Sequence, residues 1–148
     1  MFNSLSFVRS SQYHQCFMVI LLLLLFYSNT TVADNAVPKL VYLIFDEDKV
    51  IASNIEFNRF DELTLKAKEE VISHEEGNAV AVVVTNNRIM AYSIYKIGWV
   101  IKETQANEIL ENISAEDYSA LIVTSKRFLS FNGKTGLWAE TKRKKIFK

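Results

Sequence analysis

Apolar residues in this chain fall into short runs separated by polar corners. Val41–Phe45 (VYLIF), Val80–Val84 (VAVVV) and Ala120–Val123 (ALIV) have strand composition and are too short for typical helices. Their unbroken apolar character predicts strands buried on both faces. A polar corner follows each run: Asp46-Glu47-Asp48-Lys49, Thr85-Asn86-Asn87-Arg88 and Thr124-Ser125-Lys126-Arg127. Asn-Asn suits the positive φ angles of a tight hairpin turn. A second short strand is expected at Val50–Ser53, Ile89–Ser93 and Phe128–Phe131. A second turn then carries Gly98 in one unit and Asn132-Gly133-Lys134-Thr135-Gly136 in another. A third strand opens at Phe60, Trp99 or Trp138.

These segments superimpose when the chain is slid along itself by a 39-residue step. Ala81-Val82-Val83-Val84-Thr85 falls on Ala120-Leu121-Ile122-Val123-Thr124, Arg88 on Arg127, Tyr92 on Phe131 and Trp99 on Trp138. A fainter copy, matched in character more than identity, places Lys49 and Phe60 at the Arg and Trp positions. The repeats run near 41–79, 80–118 and 119–141 within a single β-repeat domain, 34–141. Glu70–His74 and Glu108–Ile113 read as fourth strands. Leu63–Ile72 also fits a short amphipathic helix; strand is favoured because Glu108–Ile113 is short and lies between two strands. Such a period is close to the roughly 40–45 residues of a propeller blade. The predicted fold is all-β: three propeller-blade-like antiparallel meanders of three to four strands, with the first strand lining the centre. A β-trefoil is the alternative. Three blades leave an open edge. Two chains pairing into a six-bladed ring, or an unusual three-fold packing, would close it.

The pattern apolar run–Thr–x–x–Arg–apolar–apolar–x–aromatic, ending at Trp, spans Val82–Ser93 with Trp99 and Leu121–Phe131 with Trp138. It resembles repeats of uncharacterised exported bacterial proteins, which look like propeller blades of the WD40/kelch kind. The resemblance implies a blade-like fold and no particular activity. The first unit departs from it at Ser53 and Phe60.

The longest apolar run is of another kind. Phe17–Phe26 (FMVILLLLLF) follows a polar stretch with Arg9 as its only charged side chain and precedes Thr31-Val32-Ala33. This is the layout of a secretory signal peptide, 1–33, cleaved after Ala33; an uncleaved anchor is the alternative. The run is shorter than the roughly 17–25 apolar residues of a comfortable span. Either reading exports the chain to the periplasm or the extracellular space. The single Cys, Cys16, lies in this segment, so no disulfide can staple the remainder. All 17 acids follow it, and Arg9 is the only one of 17 bases lost, so the mature chain carries one net negative charge. That balance does not suggest a nucleic-acid partner.

Candidate chemistry is sparse. His74 is the only histidine after the signal, and no HExxH, Walker A, G-x-S-x-G or G-x-G-x-x-G motif occurs. A Cys–His nucleophile or a His/Cys zinc cluster is thereby excluded within one mature chain. Asp46-Glu47-Asp48 lacks the glycine and ligand spacing of a calcium loop and reads as a solvated corner, as do Glu69-Glu70 and Glu75-Glu76. No metal or cofactor is implied. Arg88, Arg127, Trp99 and Trp138 are the candidate binding residues; positions that recur in every unit are more often structural. As structure, the Arg would pair with a neighbouring blade and the Trp would anchor the third strand with its N–H bonded. As a site, they would ring a groove for a glycan or peptide. The basic tail, 142–148, fits an anionic envelope surface or a solvated terminus. The sequons at Asn29 and Asn112 matter only in a eukaryote. The leading expectation is an exported, non-catalytic binding or scaffolding module with a protein or glycan partner and a capacity to homodimerise. The alternatives are a trefoil-type carbohydrate-binding domain, and a small envelope enzyme if a cleft gathers Glu69, Glu70, His74 and an Arg.

Overall fold

A computed structural model describes residues 38–144. The signal segment 1–33, with Cys16 and the Asn29 sequon, and the end of the basic tail lie outside the described residues.

The described chain is all-β. Strands β1 (Val41–Asp46), β2 (Lys49–Asn54) and β3 (Arg59–Thr64) form a first sheet. Strands β4 (Val71–Glu76), β5 (Val80–Thr85), β6 (Arg88–Ser93) and β7 (Val100–Glu103) form a second. Strands β8 (Leu110–Ala115), β9 (Ser119–Thr124), β10 (Arg127–Asn132) and β11 (Leu137–Lys142) form a third. Each sheet is an antiparallel meander of consecutive strands, so the blade-like architecture holds and a trefoil barrel does not form. Strands β1, β5 and β9 start one period apart, as do β2, β6 and β10, and also β4 and β8. Leu63–Ile72 contains the end of β3 and the start of β4 and no helix.

The period is as read from the sequence, but the sheets are phased differently. The segments at 71–76 and 110–115 do not finish the sheet before them; they open the sheet after them. The cause is local. Only a tight turn separates β4 from β5, closed by the Gly77 N–H on the Val80 carbonyl at 2.8 Å. A longer loop, 65–70, separates β3 from β4.

The sheets stack face to face. Val41, Ala52, Ala81 and Tyr92 pack between the first and second, beside Val50, Val83 and Met90. Val82, Ile89 and Ala91 meet Ile122, Leu129 and Phe131 between the second and third. Strands β5 and β6 are therefore buried throughout, whereas β1 and β9 each bury one face. Burial on both faces, expected for all three runs, holds only for the sheet with a neighbour on each side. Each fully buried Val, Ile, Leu or Phe contributes about 1.5–3 kcal/mol relative to exposure, so these two interfaces hold the fold without disulfides. Inter-sheet contact is most extensive along β4 and β8, so these strands, not the apolar β5 and β9, form the inner edge of the second and third sheets, while in the first sheet β1 is the edge strand on that side. Backbones come close there: a Cβ on Gly77 would lie 1.9 Å from the Glu116 carbonyl oxygen.

Candidate functional site

The Thr–x–x–Arg corner folds as a hairpin between β5 and β6 and again between β9 and β10. Asn86 and Asn87 do not take the positive φ expected of them. The Thr85 hydroxyl instead accepts the N–H groups of Asn87 and Arg88 at 3.2 and 2.9 Å, and Thr124 does the same for Lys126 and Arg127. A hydroxyl at this position bonds the turn's backbone and removes the need for a left-handed residue. Positive φ occurs at Lys68 and Asn107, one period apart, in the tight turns before β4 and β8. Each of those turns presents a glutamate to the next corner.

The result is a buried clasp built twice. Glu69 accepts Arg88 Nε at 2.8 Å and Arg88 Nη2 at 2.6 Å, together with the Thr85 hydroxyl at 2.6 Å and the Lys66 N–H at 2.7 Å. The side chains of Arg88 and Glu69 are 6% and 0% exposed. Glu108 holds Arg127 in the same bidentate grip, at 2.8 and 3.0 Å, with Thr124 at 2.8 Å. Arg127 also reaches Glu140 at 3.1 Å. Burial alone would push the pKa of Glu69 up; the Arg88 guanidinium, the Thr85 hydroxyl and the Lys66 amide outweigh it and hold the carboxyl at about 2. Glu108 is lowered in the same way, with Arg127 overcoming burial. Each guanidinium also donates across to the preceding sheet, Arg88 to the Thr64 carbonyl at 3.1 Å and Arg127 to the Glu103 carbonyl at 2.8 Å.

Trp99 and Trp138 sit elsewhere on their sheets and share no hydrogen-bond partner with the arginines. Both are half-buried. Trp99 packs on Tyr92 with ring centroids 5.5 Å apart and donates Nε1 to the Asp61 carbonyl at 3.1 Å. Trp138 packs on Phe131 at 5.0 Å, but its buried Nε1 has no partner among the described residues, so the expected N–H bond forms there only at Trp99. Asp61 is itself the end of a chain in which Asn54 donates to Tyr92 and the Tyr92 hydroxyl donates to Asp61. The four candidate residues thus face inward, onto partners within the chain.

An open cleft of about 550 Å³ lies between the β1–β2 hairpin and β4. Phe45, Lys49, Glu69, Glu70, Ile72 and His74 are among its lining residues. It does gather Glu69, Glu70 and His74, the set an envelope enzyme would need, but the arginine nearest them is already bonded to Glu69. That carboxylate is saturated by four donors, which leaves Glu70 and His74 as the members of the set not engaged by Arg88. His74 instead stacks on Phe45, centroids 4.7 Å apart. Asp46 and Glu47 line the same cleft, and among the described residues no group of three His, Cys, Asp or Glu side chains converges on one point. A second cleft of about 440 Å³ occupies the equivalent place between the β5–β6 hairpin and the turn before β8, with polar walls.

Glu69 and Glu108 are the members of the clasp that the solvated-corner reading misses. The same slide that aligns the corners aligns them, each 16 residues before its threonine, Thr85 or Thr124.

The sequence matches no protein-family model and no curated protein. Among solved structures, the chain is similar to the N-terminal domain of Nup159, with 17% identity and a TM-score of 0.35. The match covers 68% of this chain and spans 29% of the length of that one.

Proposed function

We propose that the protein is an exported, non-catalytic β-repeat module that binds or scaffolds a partner protein through the outer faces of its end sheets. One observation carries this reading. The recurring Thr, Arg and Trp side chains are directed into the stack, while large apolar side chains remain on its two ends. Tyr42, Ile44 and Phe60 are exposed on the first sheet, and Leu121, Phe128 and Leu137 on the third. In each set they project from one side of the sheet, in register across adjacent strands. Contiguous exposed apolar patches on a folded surface mark interaction sites. Export is supported by the sequence at 1–33, where a polar n-region, an apolar run and a small-residue boundary follow in order.

Two measurements test this. A photo-crosslinking residue at Ile44 or Leu121, introduced in the producing cells, is expected to yield protein adducts; adducts at neither face overturn the reading. The full chain fused to a reporter enzyme active only outside the cytoplasm is expected to be active; an inactive, stable fusion overturns export. A glycan reading keeps one specific support, the Phe45–His74 ring pair beside carboxylates in the open cleft. Glycan-array binding lost in Phe45→Ala would favour it over a protein partner.

A further inference from the structure

We propose that the partner on these faces is a second copy of this chain, and that two copies stack head to tail to close a ring of six sheets. The proposal deepens the binding-module reading and rests on it. Its basis is that the two free faces are the two halves of an interface the chain already makes twice.

The repeat period relates the faces residue by residue. On the second sheet, Val82 and Ile89 face the third sheet; their equivalents on the third sheet are Leu121 and Phe128, which face outward. Ile122 of the third sheet packs on the second; its equivalent on the first is Ile44, which faces outward. Leu43 against Val83 and Val82 against Ile122 are therefore successive steps of one series. The next step is Leu121 against Ile44 of another copy. The exposures of 43% and 45% at these two positions are what that contact would remove.

Polar contacts between sheets recur with the same offset and have their next members in place. Leu40 N–H donates to the Asn78 carbonyl at 2.6 Å, and Ala79 N–H to the Asp117 carbonyl at 2.8 Å. The third pair would be Tyr118 N–H and the Lys39 carbonyl of the other copy. Asn54 Nδ2 donates to the Ile94 carbonyl at 3.2 Å, and the Ser93 hydroxyl to the Gly133 carbonyl at 2.7 Å. The third donor is Asn132, whose Oδ1 is fixed by the Lys134 and Thr135 amides as Asn54 Oδ1 is by Phe57, leaving Nδ2 to reach the Ile55 carbonyl. Where Arg88 and Arg127 cross to Thr64 and Glu103, the equivalent cation is Lys49, whose Nζ bonds Glu62 at 3.0 Å and whose place in the series is opposite the Lys142 carbonyl. Charge agrees as well. Asn78 donates its side-chain amide to Asp117 at 2.6 Å, and the next contact in that series sets Asp117 against Lys39, whose ammonium also pairs with Glu76 at 2.7 Å.

Such an interface joins unlike faces, so it either closes a ring or propagates into a filament. Propellers close with roughly four to eight blades. Two chains supply six and three would supply nine, so closure selects the dimer.

The test begins with light scattering on the purified full chain, expected to give twice the chain mass with no larger species. A monomer overturns the proposal, and so does a mass that keeps rising with concentration, which is the filament. Leu121→Glu and Ile44→Glu are each expected to halve the mass with an unchanged far-ultraviolet circular dichroism spectrum. A doubled mass that survives both overturns it, because association would then arise elsewhere in the chain. Should either variant misfold, a photo-crosslinker at Leu121 replaces it: the adduct is expected on the β1–β2 peptide of a second copy, and an adduct elsewhere overturns the ring. A monomeric chain whose faces crosslink to a different protein in cells overturns self-assembly alone. A monomer with no adduct at either face overturns the binding-module reading too.

Discussion

Replacing Arg88 with methionine removes the cation from a carboxylate that has no access to water. Glu69 keeps the Thr85 hydroxyl and the Lys66 amide but loses two charge-assisted bonds, at 2.8 and 2.6 Å. Breaking a buried pair on one side costs about 3–5 kcal/mol, because the remaining charge is left uncompensated. The depressed pKa, to which the Thr85 hydroxyl and the Lys66 amide also contribute, points the same way. A fall from 4.5 to about 2 corresponds to about 3 kcal/mol of stabilisation of the ionised form. For Arg88→Met the expected loss at pH 7 is therefore about 3–5 kcal/mol in urea unfolding. The double variant Arg88→Met/Glu69→Leu is expected to recover at least half of it, since replacing both members of a buried pair with apolar residues is often close to neutral. A loss below about 1 kcal/mol, the range of surface ion pairs, would refute the clasp as a buried structural element. A double variant as unstable as the single would refute the assignment of the loss to the stranded carboxylate.

The same pair sets an acid limit. The folded pKa of Glu69 lies below its unfolded value of 4.5, so its contribution is complete above that pH and is lost as pH falls from about 4.5 toward 2. Urea midpoints are expected to fall steeply across that window, and less steeply in Glu69→Leu, whose remaining acid response comes from Glu108 and the other carboxylates. Trp99→Phe loses a hydrogen bond to the Asp61 carbonyl whereas Trp138→Phe loses none, so thermal melts are expected to rank Trp99→Phe as the costlier by about 1 kcal/mol; equal losses would contradict the difference between the two indoles. Gly77→Ala forces a methyl onto the Glu116 carbonyl, and a destabilisation of about 1–3 kcal/mol or more is expected from the backbone shift it requires; a wild-type melting temperature would show that the inner strands are not tightly apposed.

Most of the strand inventory was legible because strand character is local. The β-branched runs at Val41, Val80 and Ser119 and the corners after them state a meander without any reference to partners, and sliding the chain along itself counts its copies. The candidate arginines and tryptophans were legible as recurring positions but not in their roles. Whether Arg88 meets solvent or Glu69 depends on the turn that precedes β4, far back along the chain, and an acidic pair in sequence looks the same whether it is solvated or buried. The phase of the sheets was hidden for a similar reason: β4 is as close in sequence to β3 as many paired strands are to each other, and only the turn at Gly77 commits it to β5.

The element type and the hairpin corners follow from neighbours within a few positions, and the period from the chain's likeness to itself at a 39-residue step. Which apolar runs are covered on both faces is set by what stacks on them in three dimensions. VAVVV and ALIV have the same apolar character and the same local fold, yet β5 lies between two sheets and β9 has one. Burial is a property of what stacks on a strand, and for the outer faces of the first and third sheets the chain itself supplies nothing among the described residues.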